Sequence, residues 1–251
     1  MPITLVGYYE SVDPAAAFVN LNAIPDPPVT VNGDDILVPK LNKVIAAAAV
    51  LDQTVAVQAR LHSPKLAEMG FDEYLSRIAS GLSFGSPPEI HARSESPLEL
   101  DEVEAMQFQV LSNPAAGVGH YGLVWLSDGP VAPVQGDIRT IRCTTAISLS
   151  AGLWVNGALT FPVSLRAGTY QVVGMRITGT NLVAARLVFP GGNWRPGAPA
   201  INAQADQDYP LFRQGRAGVW GEFAHSSPPT MDALGVTDTA QEIHLDVIRV
   251  G

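Results

Sequence analysis

The chain has 251 residues and a formal net charge of −9, and only 16% of its residues are charged, against about 25% in a typical globular domain. This charge has the wrong sign for a groove that neutralises phosphates, so we expect no direct binding of nucleic acid. Its 23 glycines and 20 prolines are spread along the chain, which favours many short strands joined by turns over long helices.

The charge is distributed unevenly. Residues 1–115 carry 6 basic and 15 acidic side chains, whereas residues 116–251 carry 9 of each, and those nine basic residues are all arginines. Arginine suits interfaces and partly buried ion pairs better than lysine does. A coding bias that replaces lysine by arginine would produce the same pattern, so both explanations stay open.

The single cysteine, Cys143, excludes an intramolecular disulfide, and its place in an alternating stretch predicts a buried strand residue rather than a nucleophile. The first residues lack the basic region of a signal peptide. The longest apolar run, residues 44–51, has eight residues, fewer than the ~20 that span a bilayer. We therefore expect no transmembrane segment and synthesis in the cytoplasm.

The N-terminal part contains mixed signals. Residues 3–9 are β-rich, Asp13-Pro14 followed by alanines predicts a short helical turn, and the prolines within residues 22–39 predict an extended connector. Residues 40–53 have apolar side chains at helical spacing but β-branched ends, and we expect a helix there.

Two serine-proline pairs predict helix starts, Ser63-Pro64 and Ser96-Pro97. Glu99 completes a capping box with Ser96, which predicts a helix over residues 97–111. This helix would carry an acidic cluster that we interpret as a solvated face rather than a metal or acid/base site: Glu99, Asp101, Glu102 and Glu104. Residues 1–116 are therefore expected to form an N-terminal arm and an acidic helical or mixed region packed on the second part.

From Gly119 onward short β segments alternate with turns of Gly, Pro, Asn and Asp. The predicted strands cover residues 121–126, 137–149, 158–163, 169–179, 181–189, 218–223 and 242–250. In the last of them Ile243, Leu245 and Val247 alternate with polar residues, which predicts one dry and one wet face. Residues 117–251 are thus predicted to form an antiparallel β-sandwich, jelly-roll-like and mainly β. We expect the two parts to form one compact unit.

Catalytic and metal-binding patterns are weak. The five histidines stand far apart, which excludes a zinc motif, and Asp206-Gln-Asp208 alone is poor support for calcium. Glu222 and His225 could form an acid/base pair, but no nucleophile accompanies them. We predict no enzyme activity, no cofactor and no metal.

Interface residues are the clearer signal. Residues 181–197 combine an apolar strand, interrupted by Arg186, with a glycine-rich loop that presents Trp194 and Arg195, residue types enriched in binding hot spots. The predicted interface set comprises Arg186, Trp194, Arg195, Arg213, Arg216 and Trp220. Two other interpretations stay open: a sugar-binding platform, and tryptophans that only close the ends of the sandwich.

Three blocks carry a resemblance to a protein class: residues 123–134, residues 181–197, and residues 218–223 with Pro228-Pro229. They resemble uncharacterised virion structural proteins of bacterial viruses over roughly residues 120–250, with looser support from Val38-Pro39 and residues 60–64. The resemblance implies a β-rich capsid or capsid-associated subunit. It assigns no functional residue.

Together these observations predict a capsid-type subunit in the virion, a homo-oligomer whose partners are copies of itself and other virion proteins. Residues 22–39 are a candidate for an arm that reaches neighbouring subunits. The alternative function is a carbohydrate-binding, lectin-like β-sandwich on a virion or cell surface.

Overall fold

Antiparallel strands make up almost all of the regular structure in the computed structural model, which describes residues 2–11, 17–50, 56–69, 72–75, 90–112, 119–201, 208–237 and 240–251. The elements before residue 128 are β1 (Ile3–Glu10), β2 (Val19–Asn20), β3 (Asn22–Ala23), β4 (Thr30–Asn32), β5 (Asp35–Leu37), β6 (Lys43–Val50), β7 (Ala56–His62), α1 (Pro64–Glu68), β8 (Glu73–Leu75), β9 (His91–Ala92), β10 (Leu98–Glu99), β11 (Ala105–Ser112) and β12 (His120–Ser127). Those after it are β13 (Arg139–Thr145), β14 (Val155–Ala158), β15 (Thr169–Thr178), β16 (Leu182–Val188), β17 (Gly197–Pro199), a 3-10 turn (Pro210–Phe212), β18 (Gly221–Ala224), β19 (Thr230–Gly235) and β20 (Gln241–Arg249).

The C-terminal strands form two four-stranded sheets with the order β13-β20-β15-β18 and β14-β19-β16-β17. Counted along the chain, the eight strands therefore run first-eighth-third-sixth in one sheet and second-seventh-fourth-fifth in the other. This is the strand order of a jelly roll, two Greek keys folded into a sandwich. The predicted antiparallel, jelly-roll-like sandwich is confirmed.

The N-terminal strands repeat the same order. One sheet runs β10-β6-β12-β1-β3 with β9 also on β6, and the other runs β4-β5-β11-β7-β8 with β2 also on β11. With β4/β5 as the second strand and β9/β10 as the sixth, this is again first-eighth-third-sixth against second-seventh-fourth-fifth. The N-terminal half is a second jelly roll, where we expected an arm and a mixed helical region.

The sheet that contains β1, β6 and β12 has both faces buried. Val6 and Tyr8 contribute to the core shared with β7 and β11, whereas Ile3 and Leu5 contribute to the core of the C-terminal sandwich. Gly7 permits close approach, because a Cβ there would lie 3.2 Å from Trp154 Cζ2 and 3.3 Å from Leu234 Cδ2. The two jelly rolls thus share a continuous apolar junction.

Two predicted helices are strands. Residues 43–50 form β6, and residues 51–53 lie outside the described residues. The apolar run does not alternate because both faces of β6 are buried, so periodicity could not distinguish it from a buried helix. Residues 105–112 form β11, in which Met106, Phe108 and Val110 are fully buried on one face. Ser96 starts no helix; its N–H donates to the carbonyl oxygen of Arg93 in a turn.

The other N-terminal predictions had different outcomes. Ser63 caps α1, since its Oγ accepts a hydrogen bond of 3.3 Å from the N–H of Leu66. Residues 22–39 fold against their own chain, with Ile24, Ile36 and Val38 buried, so the predicted arm to neighbours is wrong. The helical turn predicted at Asp13-Pro14 lies outside the described residues.

In the C-terminal half most strand predictions are confirmed within a few residues, and the 3-10 turn is the only helical element among the described residues of this half. The strand predicted over residues 158–163 is displaced to β14, and β17 and β19 were not predicted. Strand β12, expected in the C-terminal sandwich, pairs with β1 and β6. The wet face predicted for β20 is wrong at Asp246, which is fully buried.

Candidate assembly residues

Arg186 lies on β16 with its side chain 1% exposed, at the junction between the two jelly rolls. Its Nη1 donates to the carbonyl oxygen of Leu5 at 3.0 Å, its Nε donates to Asp232 at 3.0 Å, and its Nη2 donates to Asp26 at 3.0 Å. Nη1 also donates to Asp26, so that pair is bidentate. The guanidinium carbon stands 4.1 Å from the ring centre of Trp154, in cation–π range.

This cluster joins chain segments that are far apart in sequence. Asp26 follows β3 of the N-terminal jelly roll, and Asp232 lies on β19 of the C-terminal one. Burial raises the pKa of Asp26 above its ordinary value, and the adjacent Arg186 guanidinium opposes this shift. A buried charge needs such partners because its desolvation is costly. Arg186 therefore orients the two jelly rolls relative to each other.

Three aromatic side chains form a continuous set of contacts in the core of the C-terminal jelly roll. Trp125, on β12, donates from Nε1 to the carbonyl oxygen of Gly197 at 2.8 Å, and its ring centre lies 4.9 Å from that of Phe212. Phe212 in turn meets Trp220 edge-on at 6.4 Å. Trp220 is only 6% exposed. Trp220 therefore belongs to the core. This agrees with the interpretation in which the tryptophans only close the ends of the sandwich.

Trp194 and Arg195 occupy the loop between β16 and β17. Trp194 is half-buried against the N-terminal core, and Arg195 donates from Nη1 to the carbonyl oxygen of Gly192 at 2.8 Å. The backbone of Arg195 accepts a hydrogen bond of 2.8 Å from the N–H of Leu5. This loop is therefore held onto the N-terminal jelly roll, and it contributes to the junction within one chain.

Arg213 forms a second ion-pair cluster. Its Nε donates to Asp246 at 2.7 Å, and its Nη1 donates to Asp208. Asp246 also accepts from Thr140 Oγ1 at 2.7 Å and from the N–H of Gln214 at 2.8 Å. Burial opposes ionisation of Asp246, but these hydrogen bonds outweigh it and hold its pKa below the ordinary value. The cluster ties the 3-10 turn region to β20.

The six predicted interface residues thus fall into three groups. The structure brings Arg186, Trp194 and Arg195 together at the junction, and it places Trp220 and Arg213 inside the C-terminal jelly roll. Arg216 is exposed. Contact of any of them with another subunit stays a prediction. Asp26, the partner that completes the junction, was missed because nothing in the spacing links residues 160 positions apart.

The candidate catalytic groups, Glu222 and His225, have different hydrogen-bond partners. Glu222 accepts from Gln171 Nε2 at 2.6 Å, whereas the Nδ1 of His225 accepts from the N–H of Gly168 at 3.4 Å. Cys143 is fully buried, as predicted, and burial raises the pKa of its thiol to about 12. Among the described residues no three His, Cys, Asp or Glu side chains form a group that could hold a metal ion. Residue 206 lies outside the described residues.

A cleft at the end of the C-terminal jelly roll was not predicted. We call it the arginine cleft. It has a volume of about 470 Å³ and is lined by Asp137, Arg139, Ile141, Arg166, Tyr170, Val247, Arg249 and Gly251. Its arginines are exposed, while Tyr170 and Val247 are almost fully buried. It presents an apolar floor inside a positively charged rim.

No protein-family model matches the chain, and no curated protein matches it. Among solved structures, the major capsid protein P2 of bacteriophage PM2 is 12% identical, with 99% of this chain and 98% of that chain covered and a TM-score of 0.25. A chain of the Sulfolobus Turreted Icosahedral Virus structure is 10% identical, with 99% and 91% covered and a TM-score of 0.25. At these TM-scores neither likeness carries an argument, and the fold assignment rests on the strand order of the chain itself. No helix among the described residues is long and apolar enough to cross a membrane.

Proposed function

We propose that this chain is a capsid or capsid-associated subunit of a bacterial virus and assembles with copies of itself into a symmetric shell. The observation that carries the proposal is the jelly-roll strand order, which occurs twice in the chain. Jelly rolls are a recurrent architecture of viral capsid domains. In this proposal the subunit has a structural role, and its shape determines how copies pack in the shell.

The junction favours a rigid block. A large apolar interface between domains restrains their relative motion, and here it also encloses the Arg186–Asp26 ion pair. A subunit that repeats many times in a closed shell needs a fixed shape, because small angular errors accumulate over the shell. The fused pair of jelly rolls meets that need.

The charge favours a position away from the genome. With a net charge of −9 the subunit would form an outer layer, and other virion proteins would contact the nucleic acid. Synthesis in the host cytoplasm precedes assembly in this proposal.

Sedimentation velocity of the purified full chain tests the proposal. Over a rising concentration series, and under conditions that favour virion assembly, we expect discrete large oligomers. A chain that stays monomeric throughout contradicts the proposal.

Binding on a glycan array in that case would support the lectin-like alternative, since lectin domains also use the jelly-roll fold. Trp220 favours the first function, because at 6% exposure it offers no face on which a sugar could stack.

A further inference from the structure

We propose that the turn at residues 101–104 of one copy inserts into the arginine cleft of a second copy of this chain. We call that turn the acidic turn. The inference rests on the proposed assembly function and specifies one contact that would build the shell. Its basis is an exposed apolar side chain with acidic neighbours on one jelly roll, and an apolar cleft with a basic rim on the other.

Val103 is the centre of the acidic turn. Its side chain is 68% exposed, and its backbone has φ of 66°, a left-handed conformation that β-branched residues rarely adopt. Glycine would take this conformation without strain. Folding alone therefore gives no reason for a valine here, and backbone strain of this kind concentrates at functional sites.

The acidic turn is held in place by the adjoining chain. The N–H of Val103 donates to the carbonyl oxygen of Val38 at 2.8 Å, and the N–H of Val38 donates to the carbonyl oxygen of Glu104 at 3.0 Å. These bonds fix the turn before any partner arrives, which lowers the entropy lost on binding. Val103 is thus presented as a preformed apolar knob.

Acidic groups surround the knob. Asp101 pairs with Lys65 at 2.8 Å but remains 70% exposed, and Glu102 is exposed with no salt bridge to the described residues. Glu99, two residues before the turn, pairs with Lys43 at 2.8 Å. The four acids at residues 99, 101, 102 and 104 outnumber these two lysines, so the turn carries net negative charge.

The arginine cleft has the complementary chemistry. Arg139 stands opposite Val247 in the β13–β20 register, and Arg249 stands opposite Tyr170 in the β15–β20 register. Residues directly opposite each other in an antiparallel pair share one face of the sheet, so the guanidinium groups stand beside the apolar side chains of the floor. The three arginines face one side-chain carboxylate, Asp137, which already pairs with Arg139 at 2.7 Å. Within one chain the cleft is open and Val103 is exposed, so the complementary surfaces are available to other copies.

A second copy is the occupant that the charges favour. The first 115 residues carry the whole net charge of −9, and the remaining residues are neutral overall with only arginine as base. The acidic turn is locally negative and the rim of the arginine cleft is locally positive, and such complementary patches steer copies of one chain together head to tail. Such a contact joins unlike surfaces, and contacts of this type close into rings or extend into larger arrays.

Val103→Gly tests the knob. The substitution removes the exposed side chain and relieves the strained backbone, so the thermal midpoint should stay equal or rise. Self-association, measured by sedimentation equilibrium, should weaken at least ~10-fold, as for loss of a central interface side chain. Leu153→Gly is the control, because Leu153 is 51% exposed and lies outside both surfaces, and it should leave association unchanged.

Mixing two variants tests the pairing. Glu102→Arg/Val103→Gly lacks the knob, and Arg139→Glu/Arg249→Glu lacks the basic rim, so each alone should remain monomeric where the wild type associates. Their mixture retains one intact knob and one intact cleft, and it should form a 1:1 complex that grows no further in sedimentation velocity. Circular dichroism confirms that each variant is folded.

The outcomes separate this contact from the proposed function. If the wild type assembles and Val103→Gly assembles equally well, the contact is overturned and the shell function stands. If only the arginine substitutions reduce association, the cleft takes a different acidic partner, which also overturns the contact. If the wild type and the mixture both remain monomeric at high concentration, the contact and the shell function fail together.

Discussion

Arg186 joins the two halves of the chain at the scale of single residues. It touches β1 through Leu5, the loop after β3 through Asp26, and β19 through Asp232. A buried ion pair adds little net stability by itself, but the removal of one partner leaves an uncompensated charge in the core. Its role is therefore to specify the orientation of the jelly rolls.

Arg186→Met should destabilise the fold by about 3–5 kcal/mol, because Asp26 would remain buried without its cation. Urea denaturation followed by tryptophan fluorescence measures the loss. Arg216→Met, at an exposed position, is the control and should change the unfolding free energy little. Equal stability of both variants would show that Arg186 does not hold the junction.

Asp246→Asn should alter the dependence of stability on pH. Because hydrogen bonds from Arg213, Thr140 and the Gln214 N–H hold the pKa of Asp246 below its ordinary value, its carboxylate stabilises the folded state above that ordinary value of about 4. The contribution is lost as pH falls through the lower, folded-state pKa. The free energy of unfolding of the variant should be about 2 kcal/mol lower than that of the wild type at neutral pH. On acidification it should fall by less than that of the wild type, because the variant has no carboxylate at this position to protonate. Parallel curves of unfolding free energy against pH for the two proteins would refute this.

At the scale of elements, β6 is the strand on which the layers depend. Ala46 and Ala48 face the C-terminal core, whereas Ala47 and Ala49 face the N-terminal one. Small side chains on both faces let the neighbouring layers approach closely, as Gly122 does where a Cβ would lie 2.3 Å from the Phe108 ring. The alanine run is therefore a packing requirement of a middle sheet.

Ala48→Leu should overpack this layer and cost about 1–3 kcal/mol, because Ala48 is fully buried between two packed layers. Thermal denaturation followed by circular dichroism measures the effect. Ala92→Leu, at an exposed site on the adjoining β9, adds the same side chain and should be nearly neutral. If Ala48→Leu left the thermal midpoint unchanged, β6 would not be packed tightly on both faces.

Sequence patterns predicted strands with one polar face better than strands that are buried on both faces. The alternation of Ile243, Leu245 and Val247 predicted β20 correctly, because polar residues mark its other face. In β6 the second face is covered by the other jelly roll, so alternation disappears, and the helical spacing of apolar residues such as Leu41 and Val44 favoured a helix. In β11 apolar residues alternate with polar ones as in a strand, whereas the serine-proline pair at Ser96 predicts a helix that the chain does not form, because Ser96 lies in a turn.

The candidate site was predictable only in part. Residue type singles out Arg186, Trp194 and Trp220, since arginine and tryptophan are enriched in binding hot spots. Their partners were not predictable, because Asp26 and Arg186 meet only through the packing of two complete sandwiches. The arginine cleft likewise arises from three strands brought to one end of a sheet.

At the scale of the whole molecule, the shared core predicts cooperative unfolding. Apolar residues from both jelly rolls form one continuous cluster, so neither should unfold without exposing part of the other. We expect a single transition with coincident midpoints by far-ultraviolet circular dichroism and by the fluorescence of tryptophans such as Trp125 at the junction. Two resolved transitions would show that the jelly rolls fold independently.

Electron cryomicroscopy of particles assembled from the pure full chain tests the central claim most directly. The account predicts repeated subunit densities, each of which accommodates both jelly rolls as one rigid block with Arg186 at the junction. Particles whose density requires the two jelly rolls to separate, or the failure of the chain to form regular particles under any assembly condition, would contradict it.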